Sequence, residues 1–118
     1  MRSRHRIVLK TPWYYILVAL AANDRHGQAI ARDVMMLSGH GVRLWPAMLY
    51  GALEDLSDRG WIEEIDERTG RPVNESERRK YYRITRAGRK VVAAETQRLA
   101  ELVRIARSRI KPRTGESS

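Results

Sequence analysis

PAMLYGALEDLSDRGWIEEIDE, residues 46–67, decides the fold, because its rhythm changes partway along. Leu49, Leu53 and Leu56 recur at spacings of four and three, the signature of one buried helical stripe. Pro46 opens the pattern, where a first-turn proline gives up no hydrogen bond. The spacing predicts a helix from about Pro46 to Arg59, with Gly60 standing where a C-cap belongs. From Trp61 to Glu67 the helical period is gone, and the run rich in Ile and Trp is a strand candidate.

Upstream, two more helices are predicted. Thr11-Pro12 offers a hydroxyl cap and a first-turn proline, and the helix it starts runs to about Ala22. That helix is apolar nearly all round, which places it at the centre of the fold or between two subunits. Asn23 to Gly27 is a polar break. Gln28 to Ser38 is the next helix, with Ile30, Val34 and Leu37 as its buried stripe, and Gly39-His40-Gly41 ends it. Downstream, Arg78 to Ile84 reads as a returning strand, with Tyr82 and Ile84 on the core face and Tyr81 and Arg83 on the other. About ten residues, Arg68 to Glu77, join the two strands, too many for a tight hairpin. Thr85 caps a last helix from about Arg86 to Ile110, roughly 37 Å long at 1.5 Å per residue. Three short helices and a hairpin cannot cover that length, so its second half needs another surface. A second copy of the same helix is the simplest one.

Helix, helix, helix, strand, strand, helix describes a mainly α fold with a two-stranded β-wing, a winged helix-turn-helix plus a long C-terminal helix. The expected organisation is a basic N-terminal arm (1–10), a winged helix-turn-helix DNA-binding domain (11–85), a C-terminal dimerisation helix (86–110) and a flexible tail (111–118).

The formal net charge is +9, and its distribution is uneven. Arg2, Arg4, Arg6 and Lys10 lie in the first ten residues, and Arg104, Arg107, Arg109, Lys111 and Arg113 near the end. Between them, Glu63, Glu64, Asp66 and Glu67 form an acidic patch, while Arg78, Arg79, Lys80, Arg83, Arg86, Arg89 and Lys90 run without an intervening acid. Such blocks point to a polyanionic partner; by themselves they are equally consistent with solubility alone. The longest apolar stretch, Trp13 to Ala22, is too short for a bilayer, which needs about 20 residues, so no membrane role is expected. It also lacks a secretory cleavage pattern. The absence of cysteine fits a reducing cytoplasm and excludes thiolate chemistry.

Four linked stretches carry a family resemblance. They are His26-Gly27, Leu49-Tyr50-Gly51-Ala52-Leu53, Arg59-Gly60-Trp61-Ile62-Glu63-Glu64 and Arg78-Arg79-Lys80-Tyr81-Tyr82-Arg83-Ile84-Thr85-Arg86-Ala87-Gly88. In this order and spacing, over about residues 11–107, they resemble the PadR family of transcriptional regulators, in a short form with a single C-terminal dimerisation helix. The resemblance implies a winged helix-turn-helix homodimer that binds double-stranded DNA at an inverted-repeat operator, usually as a repressor. For many relatives it also implies release by a small, often aromatic effector. Two positions depart from the pattern. Gln28 stands where Tyr often follows His-Gly, and Trp45-Pro46-Ala47-Met48 stands where a Gly-Pro-Gly-Thr or Gly-Pro-Ser-Thr run is common, which removes a hydroxyl from the start of the third helix.

If the third helix enters the major groove, its outward side presents Ala47, Met48, Tyr50, Gly51 and Glu54, so direct polar readout is sparse. Ala47 and Met48 suit thymine methyl groups or ordinary packing, Tyr50 suits a phosphate or packing, and Arg43 suits a guanine or phosphate. Gly51 lowers helix stability by about 1 kcal/mol relative to Ala, a cost that close approach of DNA or another helix would offset. Arg78, Arg79 and Lys80 are placed to grip phosphate from the wing, against a reading in which they pair with Glu63, Glu64 and Asp66 in solvent. Arg2, Arg4 and Arg6 form a possible minor-groove arm. Trp13, Leu17, Leu99, Leu102, Val103, Ala106 and Ile110 are the expected dimer interface. Trp13, Tyr14 and Tyr15 are a possible effector pocket, or simply packing.

His5, His26 and His40 are scattered without ligand spacing, and no phosphate loop or nucleophile elbow occurs, so neither a metal, a cofactor nor an enzymatic activity is expected. The competing function is a winged-helix protein–protein interaction module without specific DNA binding.

Overall fold

The computed structural model describes residues 8–66 and 80–112. Its elements are α1 (Thr11–Ala22), β1 (Arg25–His26), α2 (Gly27–Leu37), α3 (Pro46–Asp58), β2 (Ile62–Asp66), β3 (Lys80–Ile84) and α4 (Arg86–Ile110). The wing loop, residues 1–7 of the basic arm and residues 113–118 lie outside the described residues, as do Arg78 and Arg79.

The expected mainly α winged fold is present, with one addition to the wing. β2 and β3 pair antiparallel, Ile62 opposite Ile84 through Asp66 opposite Lys80. The polar break before α2 supplies a third strand, β1, which joins the other edge of β3 with Arg25 opposite Tyr82 and His26 opposite Tyr81. Two residues carry no alternation to read, so this strand is set by the free edge of β3. Arg25 secures it, its Nε donating to the Ala19 carbonyl at 3.1 Å and its Nη2 lying 3.5 Å from Asp33.

The core is built on α1. Ile16, Leu17 and Leu20 are fully buried against Ile30 and Val34 of α2, Leu53 and Leu56 of α3, and Ile62, Tyr82 and Ile84 of the sheet. Full burial of such side chains contributes about 1.5–3 kcal/mol each, enough to fix α1 at the centre of one chain. Two local expectations change. Thr11 is the first residue of α1, not its cap; Lys10 occupies the cap position in extended conformation and makes no side-chain bond. Leu37, counted into the α2 stripe, is exposed, because the last turn runs past the core.

Three junctions position the remaining elements. His26 caps α2, its Nδ1 accepting from the Ala29 N–H at 3.3 Å. Gly60, at φ 79°, turns the chain from α3 into the sheet, a conformation that favours glycine. Thr85 caps α4, its hydroxyl accepting from the Gly88 N–H at 3.0 Å and donating to the Gly60 carbonyl at 2.7 Å. The helix then passes so close to the Trp61 carbonyl that only a residue without Cβ fits at Gly88.

The first half of α4 packs on α1 and the chain start. Val92 is buried, and Tyr14 Oη meets Thr96 Oγ1 at 2.7 Å. Glu95 is buried too, although charged. Arg98 holds it bidentately at 2.7 and 2.8 Å, and the Leu9 N–H donates to the same carboxylate. These bonds, the Arg98 guanidinium first, hold the Glu95 carboxyl below its ordinary range in spite of burial.

Gly88→Ala should destabilise the fold by about 1–3 kcal/mol in denaturant titration, since the new methyl meets backbone. Gly51→Ala, where no described residue comes close, should gain about 1 kcal/mol instead. Glu95 has a folded pKa lowered from its unfolded value, so its stabilisation is complete above about pH 4.3 and is lost as pH falls through the folded value. Denaturation midpoints measured from neutral pH downward should therefore fall less steeply in the acid range for Glu95→Gln than for the wild type.

Candidate nucleic-acid interface

The outward side of α3 is the centre of the candidate site. Leu49, Ala52, Leu53 and Leu56 face inward, leaving Ala47, Met48, Tyr50, Gly51 and Glu54 exposed as the helical period requires. This side is polarised along its length. Its N-terminal half carries no charge and follows Arg43; its C-terminal half carries Glu54, Asp55 and Asp58, all exposed. A polyanion is therefore repelled from one end of α3 and tolerated at the other.

Tyr50 has two duties. A Cβ at Gly27 would lie 2.5 Å from the Tyr50 hydroxyl, so the ring is laid over the start of α2. It also lies near Tyr82, whose own hydroxyl is pushed above its ordinary pKa by burial, then by the Glu64 carboxylate, then by Tyr50. Tyr50 thus packs α3 against the start of α2 while about half of it stays in solvent.

Arg43 is exposed and stacks on Trp45, its Cζ 5.1 Å from the ring centroid. Trp45 is the residue that sequence reasoning missed. It stands four residues before Leu49, in phase with the buried stripe, so periodicity assigns it to the core. It is instead the cap residue of α3, at φ −71° and ψ 156°, and helical phase does not extend to it. Leu44 fills the core beside it, and Trp45 remains 58% exposed, with Met48 at 48%. The available signal was the capping position itself, one residue ahead of a first-turn proline.

On the wing, Lys80 is exposed with its Nζ 4.0 Å from Glu64, and Arg83 meets Glu63 at 3.0 Å. Pairs this exposed are worth little and leave the cations available to a stronger anion. Arg78, Arg79 and the arm arginines Arg2, Arg4 and Arg6 cannot be added to this surface, since they lie outside the described residues.

Over residues 16–94 the sequence matches the transcriptional regulator PadR-like family. The chain belongs to the PadR-like family. It is 36% identical over 87 residues to an uncharacterized 37.1 kDa protein in a transposon of Streptomyces fradiae, a match that takes in 74% of this chain. The chain spans only 22% of that curated relative's length. Among solved structures it is similar to a PadR family transcription regulator from Clostridium difficile, with a TM-score of 0.70 at 20% identity, covering 86% of this chain and 100% of the other. It is also similar to a transcriptional regulator from Clostridium thermocellum, with a TM-score of 0.68 at 23% identity, covering 84% and 92%. At these identities the likeness is one of fold. PadR-like regulators are transcription factors, not enzymes, and no helix among the described residues is long and apolar enough to cross a membrane.

Two expectations for the α1 surface need revision in this PadR-like chain. Leu17, assigned to a dimer interface, is 0% exposed and has no surface to offer a partner. Trp13, assigned to the same interface and to an effector pocket, is buried. Its ring meets Trp61 edge-on at 6.1 Å, with Lys10 and Arg59 each 4.9 Å from its centroid. Of the aromatic trio, Tyr14 and Tyr15 stay partly open, Tyr14 tied to α4 through Thr96. On α4, Leu99 and Ala106 are half-buried, Leu102 is 51% and Ile110 76% exposed, and Val103 is exposed between them.

Gly27→Ala pushes a methyl against the Tyr50 hydroxyl, the outer end of a half-exposed side chain that can swing aside, so a cost of about 1 kcal/mol, at the low end for overpacking, is expected. Tyr50→Ala opens that space. The double variant should therefore be less destabilised than the two single losses added together, which a double-mutant cycle by denaturant unfolding measures.

Proposed function

We propose that the protein is a cytoplasmic, sequence-specific double-stranded-DNA-binding regulator that acts as a homodimer, a repressor on an inverted-repeat operator, and catalyses no reaction. Residues 11–85 read the duplex, 86–110 pair the subunits, 1–10 form a basic arm and 111–118 a tail. The observation that carries the reading is the polarity of α3: its uncharged, exposed N-terminal half follows an exposed arginine, Arg43, and its acids are gathered at the far end. Recognition helices offer base edges their N-terminal residues, so Arg43, Ala47, Met48, Tyr50 and Gly51 are the contacts assigned here. Lys80, preceded in sequence by Arg78 and Arg79, grips the phosphates from the wing, while Arg2, Arg4 and Arg6 follow the minor groove.

Pairing is supported by the second half of α4. Leu99, Leu102, Val103, Ala106 and Ile110 continue the face that Val92 and Thr96 apply to α1, and beyond Arg98 nothing among the described residues buries that face fully. An apolar stripe of this kind in a charged helix is a natural surface for its own two-fold copy. A second reading, a protein-interaction module, draws on the exposed apolar side chains Met36, Leu37, Trp45 and Met48.

One experiment separates the two. Duplex affinity measured by fluorescence anisotropy across salt should fall steeply with ionic strength, and Arg79→Ala or Lys80→Ala should flatten the slope by about one unit each, similarly for all sequences. Light scattering on the same samples should give a dimer. A lone subunit, or indifference to every duplex at low salt, removes this reading and leaves the protein-interaction module.

A further inference from the structure

Resting on the duplex-binding reading, we propose that Trp45 and Met48 form an apolar reading head for the 5-methyl group of thymine, so that the operator is specified at those positions by methyl contact. In the major groove each base pair shows a pattern of donors and acceptors, and the thymine methyl is the apolar mark among them. A helix that reads donors and acceptors needs polar side-chain ends. From Pro46 to Ala52, α3 has one, the Tyr50 hydroxyl, and that is laid over Gly27.

What the same end does offer is apolar area. Trp45 is 58% exposed and Met48 48%, three residues apart at the start of the helix. Tryptophan is usually well buried, and leaving this much of it in water forgoes stabilisation that folding could have taken. The neighbouring charge selects the occupant. Arg43 rests on the Trp45 ring, a cation–π contact that holds a positive charge at the edge of the apolar surface. An apolar patch bordered by arginine, with Glu54, Asp55 and Asp58 kept to the other end of the helix, complements a groove whose floor carries methyls and whose rims carry phosphates. The flexible, polarisable thioether of Met48 can follow the methyl's position beside the rigid indole.

The test starts from the tightest duplex recovered from a random-sequence pool. Each thymidine is replaced in turn by deoxyuridine, which removes the methyl and keeps every phosphate and hydrogen-bonding edge, and affinity is measured at one fixed salt concentration. At one or more thymines in each half-site the replacement should weaken binding about fourfold, the equivalent of one buried methylene. In Trp45→Ala and Met48→Ala the ratio between the two duplexes should shrink toward one. Both duplexes are measured on the same preparation, so a partly misfolded variant leaves the ratio meaningful. Equal affinities at every position, a recovered site without thymine, or a methyl preference that survives in both variants overturns the proposal. If no duplex is bound at all, the DNA-binding reading fails as well, an outcome distinct from duplex binding that ignores the methyl.

Discussion

The peptide at Gly60–Trp61 is where the structure is tied together. The Trp61 N–H donates to the Leu56 carbonyl at 3.1 Å and closes α3, and the Trp61 carbonyl accepts from Thr85 at 3.0 Å where the sheet ends. The same carbonyl lies against Gly88 in the first turn of α4, and the Trp61 ring meets α1 through Trp13. Helix α3, strands β2 and β3, α4 and α1 are therefore all referred to one short segment. Any shift there changes the angle between the helix that carries the candidate reading surface and the helix that carries the exposed apolar stripe.

The four stretches behind the family resemblance reduce to two contacts. Gly27, of the His26-Gly27 pair, is small because Tyr50 lies over it. Gly88, at the end of the wing motif, is small because the Trp61 backbone passes beside it. Residues far apart in sequence are thus constrained together by steric fit, one pair closing α2 on α3 and the other closing α4 on the turn after α3.

Legibility followed the range of the forces involved. α3 and α4 were readable because their signals are local: a proline or threonine at the start, glycine or proline at the end, and a clear period between. The antiparallel wing was readable because Tyr82 and Ile84 alternate with Tyr81 and Arg83. β1 was not, since Arg25 and His26 become a strand only by lying along β3. Leu17 was assigned outward because a helix apolar all round has no phase to show which side meets its own chain. Trp45 was hidden for the opposite reason: it has the right phase, but the backbone leaves the helical path one residue before Pro46. The candidate contacts at Arg78 and Arg79 rest on sequence alone, whereas Lys80 and Arg83 can be seen paired weakly with the acids of β2.

The continuous face of α4 has a consequence for how the chain can change length. Val92 and Thr96, on the side that docks on α1, and Leu99, Val103, Ala106 and Ile110 further along lie in one phase of this 25-residue helix. Each residue inserted between the two groups would swing the distal group about 100° around the helix axis. With subunits paired through the distal group, as proposed, a single insertion or deletion there breaks the shared phase in a way that a single substitution does not. Variation by whole pairs of turns, seven residues at a time, is the smallest step that keeps both ends facing nearly the same way.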